Sequence, residues 1–473
     1  MASLGCMSPT DIRHQFSIAM SSIYKAEVPL YSDLIDLVRG INKSVLDSDA
    51  SQYSYLSTSD QISRLSYERH GAIRLASDEE MITMARFLKV MGMFPVGYYD
   101  LSTASLPVHS TCFRPVDLAS LNTNPFRLFV SLLRPALVSS HLRPRIAALA
   151  SRRCIFHPRT LELISVAEAS GGLTPPQAAE FIATGLETFK WRSTATTSLV
   201  EYRALHSESP LLADVVAFAG PHINHLTPRT LDIDALQHTG RCRGIPMKEV
   251  IEGPPRRKCP ILLRQTSFKA LEEAVIFIDG GDRVPGSHTA RFGEVEQRGA
   301  ALTPKGRQLY DELVVEAARR GISAADEPAY SKLFARFPES WEEMRRLDLC
   351  WFNYRVADDV ADEQPSGCDG EDRGHTSVEE LIRQGLIQYE PLVYEDFLPL
   401  SAAGIFQSNL EKSNGAGQAV GAKRGLHSAG PNAACREELV EAVGGTIFDE
   451  MELYAAMQEE SLEQCRRHFG IRA

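Results

Sequence analysis

Apolar positions divide the chain into alternating helical and extended stretches. After the helix-start signature Ser8, Pro9, Thr10 and Asp11, apolar residues recur at Phe16, Ile18, Ala19, Ile23 and Tyr24, then at Leu34, Ile35, Leu37 and Val38. That spacing predicts two amphipathic helices over 9–42, joined near Pro29. Asp78 to Val90 predicts another helix with acids in its first turn, where they complement the helix dipole, and Phe94 to Leu101 predicts a strand. Pro175 to Lys190 reads as a helix with proline in its first turn, and Leu211 to Ala219 as a largely buried strand. Next come His222 to Thr227 extended, Pro228 to Leu236 helical, strands at Ile261 to Arg264 and Val275 to Ile278, and a long strand from Thr289 to Leu302. A helix from Pro304 to Arg320 follows, and the order is close to a βαβββ unit. Arg436 to Phe469 is helical again, interrupted at Gly444 and Gly445.

Two stretches break this periodicity. Asp362 to Thr376 and Glu411 to Ala434 are rich in Gly, Ser and Pro, bury little apolar area, and are expected to be flexible insertions. The remainder reads as one large catalytic domain spanning 1–473 with peripheral helices. With 473 residues, 44% hydrophobic and 23% charged, the chain is ordinary globular material able to bury a generous core. A formal net charge of −11 with scattered basic pairs argues against nucleic acid or an anionic membrane as partner. No apolar run approaches the ~18 to 20 residues of a bilayer span. The opening MASLGCMSPTDIRHQF has neither an apolar signal region nor an Arg-rich presequence, so a cytoplasmic location is expected. Nine cysteines without a CxxC pair fit a reducing compartment and leave metal chemistry to His and carboxylates.

Three short contexts could carry such chemistry: YERHGAIR at 67–74, GPHINHLTPR at 220–229 and RFGEVEQRG at 291–299. In an extended segment His225 shares a face with Ile223, and His222 with Asn224, so one histidine of the pair looks into a given pocket. Glu294 and Glu296 likewise share a face. The first and last strands of a βαβββ unit would bring His225 and Glu294 together, and His70 would complete two imidazoles and one carboxylate. That set leaves adjacent coordination positions open and suits Fe(II), whereas zinc on the same ligands favours hydrolysis or isomerisation. Competing readings exist at every position: a core histidine bonded to backbone for His225, a solvated glutamate or a partner of Arg298 for Glu294, and a surface ion pair for Arg74.

Seven blocks, in order, carry a resemblance: FSIAMSSIYKAEVPLY, ERHGAIRLAS, FRPVDLASLNTNPFRLFVSLLRP, AGPHINHLTPRTLDID, PILLRQTSFKALEE, RFGEVEQRGAALTPKGRQLYDEL and VYEDFLPLSAAGIFQSNL. Together they resemble the 2-oxoadipate dioxygenase/decarboxylase family, related to the vicinal oxygen chelate superfamily. The resemblance implies an α+β fold with a βαβββ curved sheet around a metal site and added helices. It implies mononuclear Fe(II) on His70, His225 and Glu294, with Arg74, Leu400 and Ser401 at the substrate. The implied reaction takes a 2-oxo dicarboxylic acid and O2, 2-oxoadipate giving 2-hydroxyglutarate and CO2 in lysine catabolism. The alternatives are a zinc or manganese lyase, isomerase or hydrolase on the same scaffold, and a non-catalytic regulatory protein. The sequence assigns no oligomeric state.

Overall fold

The computed structural model describes residues 5–48, 61–357, 377–398 and 433–471. The stretches expected to be flexible, 362–376 and most of 411–434, lie outside them, as do Leu400 and Ser401. The described chain is mixed α+β and divides into two compact units. One comprises Met1–Gly253, Arg264–Gln297 and Asp396–Phe448; the other comprises Pro254–Leu263, Arg298–Glu395 and Asp449–Ala473.

In the first unit both N-terminal helices form as their spacing predicts. Helix α1, Pro9–Glu27, starts at Ser8, whose side chain accepts from the Asp11 N–H, and α2 spans Pro29–Ser48. Their apolar stripes bury Phe16, Met20, Tyr24, Leu34 and Leu37. Phe16 meets Phe87 edge-on at 5.7 Å between ring centroids, and Phe87 stacks on Phe181 at 4.7 Å, so α1, helix Asp78–Val90 and helix Pro175–Gly185 share one core. Edge and offset aromatic pairs of this kind add about 0.5–1.5 kcal/mol each beyond area burial.

That core packs on a five-stranded sheet. Its strands are β1 (Arg69–Leu75), β2 (Phe94–Asp100), β3 (Val108–Arg114), β4 (Arg127–Leu133) and β5 (Leu226–Pro228), in the order β2-β3-β4-β1-β5. β1 runs parallel to β4 and antiparallel to β5, which places His70 opposite Arg127 on one side and Thr227 on the other. Every residue of β3 and β4 is buried, so neither strand shows the alternation of a half-exposed sheet: β4 is largely apolar, while β3 buries His109, Ser110, Thr111 and Arg114 as well. Further on come β6 (Leu263–Ser267), β7 (Glu272–Asp279), β8 (Asp282–Thr289) and β9 (Glu294–Arg298), with β6 paired to β9. β7 and β8 form a hairpin closed by Gly280 and Gly281, both at positive φ, as a two-residue turn requires.

Three expectations need correction. Residues 211–219 are not a strand: Pro210–Val216 is a helix, with Ser209 before it and proline at its first position. A short, fully buried apolar run carries no periodicity that separates the two, and the Ser-Pro start was the informative signal. The helix placed at 228–236 instead spans Ile233–Cys242, because the Asp232 side chain caps the Ala235 N–H while Pro228 joins β5. The long strand at 289–302 shortens to β9, preceded by the polar, proline-containing β8 that the apolar pattern does not reveal.

The second unit holds helix Pro304–Arg320, capped by Thr303, and an antiparallel pair, β10 (Phe352–Val356) with β11 (Ile387–Pro391). The C-terminal helix Glu450–Phe469 packs on β10, where the Gln458 and Ser461 side chains accept from the N–H groups of Phe352 and Tyr354. Among the described residues no helix is long and apolar enough to cross a membrane.

A buried charge cluster secures the start of β1. Glu68, fully buried, accepts from Arg64 Nε at 3.0 Å, Arg127 Nη2 at 2.8 Å and Arg229 Nη1 at 3.0 Å. Burial opposes its ionisation, yet Arg64, Arg229 and Arg127 outweigh burial and hold the Glu68 carboxyl well below its ordinary 4.5. A depressed folded-state pKa contributes stability that is complete above the unfolded value and is lost as pH falls through the folded one. Glu68→Gln should therefore cost about 3–5 kcal/mol near pH 7, because it strands buried arginines. In urea unfolding, the gap between Glu68→Gln and the unsubstituted protein should narrow as pH drops below 4.5. A gap constant from pH 7 to the acid limit would rule this role out.

Candidate metal centre

β1 delivers the first side chain. Its two neighbours fix its orientation, and His70 emerges almost completely buried. The segment 221–225 lies against β1 without forming a strand, held by Ile223 N–H to Phe189 O and Asn224 N–H to Ala72 O. This approach depends on Gly71: a Cβ there would sit 2.6 Å from Ile223 Cδ1 and 3.2 Å from His225 O. His225 is thereby brought beside His70, with ring centroids 5.2 Å apart and planes at 84°. Glu294, first residue of β9, completes the group, its Oε1 2.9 Å from His70 Nε2.

One ligand atom from each of His70, His225 and Glu294 lies within 4.8 Å of the others, and all three residues are buried. The sequence-predicted triad is thus gathered in space, although its residues are remote in the chain. Two rings close the site: Phe397 stands edge-on to His70 at 4.9 Å, and Phe292 lies 4.9 Å from His225. Phe397 is positioned by its neighbour Asp396, which takes a buried bidentate pair from Arg114 at 2.8 and 2.9 Å.

The hydrogen bonding separates atoms that are used from atoms that are not. Glu294 Oε1 accepts from Thr227 Oγ1 at 3.1 Å and Gln265 Nε2 at 2.8 Å, whereas Glu294 Oε2 has no partner among the described residues. Neither His225 nitrogen has a partner among the described residues, with the residue 1% exposed. Burial pushes the His225 pKa down to about 4, outweighing the Glu294 carboxylate, so this imidazole is neutral at physiological pH and keeps a lone pair. Leaving a buried polar group unsatisfied costs about 1–3 kcal/mol. A cation bound to Glu294 Oε2 and one His225 nitrogen satisfies two of these three atoms, so the donor set fits a metal ion.

His70 has a second carboxylate behind it. Its Nδ1 lies 2.8 Å from Glu296 Oε2, and Glu296 Oε1 is 3.8 Å from Arg127 Nη1. Burial disfavours the charged imidazole, but Glu296 and Glu294 outweigh it and raise the His70 pKa. A proton on Nε2 and a metal ion there are alternatives, since both place positive charge between His70 and Glu294. A carboxylate on the far nitrogen fixes the ring's tautomer and orientation. Glu296 escaped the sequence reading as a site residue, although its shared face with Glu294 in FGEVEQRG was the available signal.

Arg74 lies four residues beyond His70 on β1, hence on the same strand face, and its Nη1 pairs with Asp214 Oδ2. It is largely buried, its side chain 13% exposed, so the surface ion pair weighed from sequence does not apply. Asp214, His222 and His288 form a second buried group, and His222 stands apart from the first. Nothing in the sequence pattern marked Asp214 or His288.

The chain is similar to known proteins over most of its length. A sequence model of the 2-oxoadipate dioxygenase/decarboxylase family matches residues 16–409. The chain is 49% identical over 474 residues to a Pseudomonas putida protein called 2-oxoadipate dioxygenase/decarboxylase, covering 98% of both chains. It is 47% identical to an Escherichia coli protein of the same name, covering 96% of this chain and 98% of that one. Among solved structures, the Pseudomonas putida hydroxyglutarate synthase in complex with 2-oxoadipate superposes with a TM-score of 0.86 at 45% identity, covering 98% of this chain and 99% of that one. The chain belongs to the 2-oxoadipate dioxygenase/decarboxylase family.

Proposed function

We propose that this chain is an Fe(II)-dependent, decarboxylating dioxygenase that converts 2-oxoadipate and O2 to 2-hydroxyglutarate and CO2, a step of lysine catabolism. The observation that carries the reading is the gathering of His70, His225 and Glu294, with the buried His225 nitrogens and Glu294 Oε2 lacking partners among the described residues. The relatives named for this activity support the substrate, and a structural relative was solved with 2-oxoadipate bound.

In this reading His70, His225 and Glu294 hold the metal, a two-histidine, one-carboxylate set that leaves positions open for a chelating substrate and O2. When bound, ferrous iron supplies the electrons that activate O2 and the Lewis acidity that holds a 2-oxo acid. The protein's own residues do the rest. His225 binds as a neutral imidazole, Glu294 contributes the negative charge, and Glu296 orients the His70 ring. Arg74, on the same face of β1, binds a substrate carboxylate by charge and fork geometry. Phe397 and Phe292 exclude water from the reacting atoms, which protects a reactive centre from side reactions.

The direct test is an oxygen-electrode trace with metal analysis on iron-loaded protein. Oxygen uptake and CO2 release with 2-oxoadipate alone, without a second oxo acid, are expected; turnover that persists anaerobically with zinc or manganese would replace this reading by a lyase, isomerase or hydrolase. His225→Ala and Glu294→Ala should each lose bound iron and turnover, while His222→Ala retains iron. Iron lost from His222→Ala and kept by His225→Ala would move the centre to the other cluster. Glu296→Gln should keep the fold and weaken iron affinity about 10- to 100-fold. Competition with a chelator reads that change, and an unaltered affinity would remove Glu296 from the site.

A further inference from the structure

Behind Arg74 lies a buried group that the proposed reaction does not use. Asp214, on helix Pro210–Val216, has its Oδ1 3.1 Å from His222 Nε2 and 2.8 Å from His288 Nε2. Tyr202 OH is 2.8 Å from His288 Nδ1, and the Trp191 ring packs on His222 at 4.7 Å and parallel to His288 at 6.1 Å. The other carboxylate oxygen, Oδ2, takes Arg74 Nη1 and lies 3.5 Å from Asn224 Nδ2. Asn224 directly precedes His225, so the group runs from the ligand segment to the guanidinium.

Two histidines and an aspartate could also hold a metal ion, but here the Asp214 carboxylate is already engaged by both imidazole Nε2 atoms and by the Arg74 guanidinium. The same metal would face the Arg74 guanidinium across one carboxylate, placing like charges together in a buried site. With Nε2–H on both rings instead, each imidazole donates to Asp214, and Tyr202 donates to His288 Nδ1. Burial opposes the ionisation of Asp214, but His222, Arg74 and His288 outweigh it and hold the carboxyl well below its ordinary range. The cluster is therefore an aspartate anchored by two imidazoles and paired to one guanidinium.

We infer that Asp214, oriented by His222 and His288, is a positioning residue that sets the guanidinium plane of Arg74 for a substrate carboxylate. The inference rests on the proposed role of Arg74. A bidentate guanidinium–carboxylate contact has narrow geometry, so a fixed plane confers both affinity and discrimination by chain length. Loss of the anchor should act on substrate binding and leave the metal centre intact.

Steady-state kinetics on iron-loaded Asp214→Asn tests this, with iron content and Tm measured alongside. KM for 2-oxoadipate should rise on the order of 10-fold or more while kcat changes far less, as expected for a misplaced binding group. Preference for 2-oxoadipate over a shorter 2-oxo dicarboxylate should shrink, and iron should stay near one per chain. In an Arg74→Ala background Asp214→Asn should add nothing to KM, because the two residues act through one contact. His288→Gln, which keeps a donor for Asp214, should retain a low KM, whereas His288→Phe should raise it. An Arg74→Ala protein with unchanged KM would overturn the substrate role of Arg74 itself. A raised KM in Arg74→Ala with none in Asp214→Asn, or equal increments of Asp214→Asn in both backgrounds, would overturn only the positioning role. A second iron or zinc per chain that Asp214→Asn abolishes would make the cluster a metal site and overturn it too.

Discussion

Burial of donor atoms without protein partners is the constraint around which the rest of the first unit is arranged. An imidazole with both nitrogens unpartnered, and a carboxylate oxygen beside it in the same condition, are tolerated in a core only where another group completes their bonding. The neighbours are placed to preserve that condition. Thr227 and Gln265 engage only Oε1 of Glu294, leaving Oε2 for the site. Phe292 and Phe397 offer rings in place of hydrogen-bonding groups. Gly71 admits the segment that carries His225 to within reach of β1.

A repeated device runs through the site. Two residues on one face of β1, His70 and Arg74, each pair with a buried carboxylate: Glu296 for the imidazole and Asp214 for the guanidinium. Each carboxylate is in turn held by further groups, Arg127 in one case and His222 with His288 in the other. Buried charges that would be costly alone thus stand in opposed, hydrogen-bonded sets, which fixes their direction as well as offsetting their desolvation. β4 pairs with β1 from His70 to Leu75, which fixes the spacing of the two residues, and β5 holds the other edge at Arg69–Gly71.

Much of the helical framework was legible because start signals and period agreed. Pro9, Pro175 and Pro304 each open a helix whose apolar stripe the sequence displays. Less of the sheet could be read. β3 and β4 are buried on both faces and lose the two-residue alternation, and the run at 211–219 proved to be a helix for the same want of periodicity. His70, His225 and Glu294 were singled out by context and by family resemblance, since spacing alone left each with an ordinary core or surface reading. Glu296 was on the page as a same-face neighbour of Glu294. Asp214 and His288 carried no local pattern at all: their meeting is a product of tertiary packing, 74 positions apart.

Anomalous diffraction at the iron edge, from crystals of the iron-loaded protein, addresses the metal assignment most directly. We expect one strong peak per chain, about 2.0–2.2 Å from His70 Nε2, a His225 nitrogen and a Glu294 carboxylate oxygen, the usual range for nitrogen and oxygen ligands of a first-row ion. A peak among Asp214, His222 and His288, or none at the first cluster in iron-replete protein, would refute it.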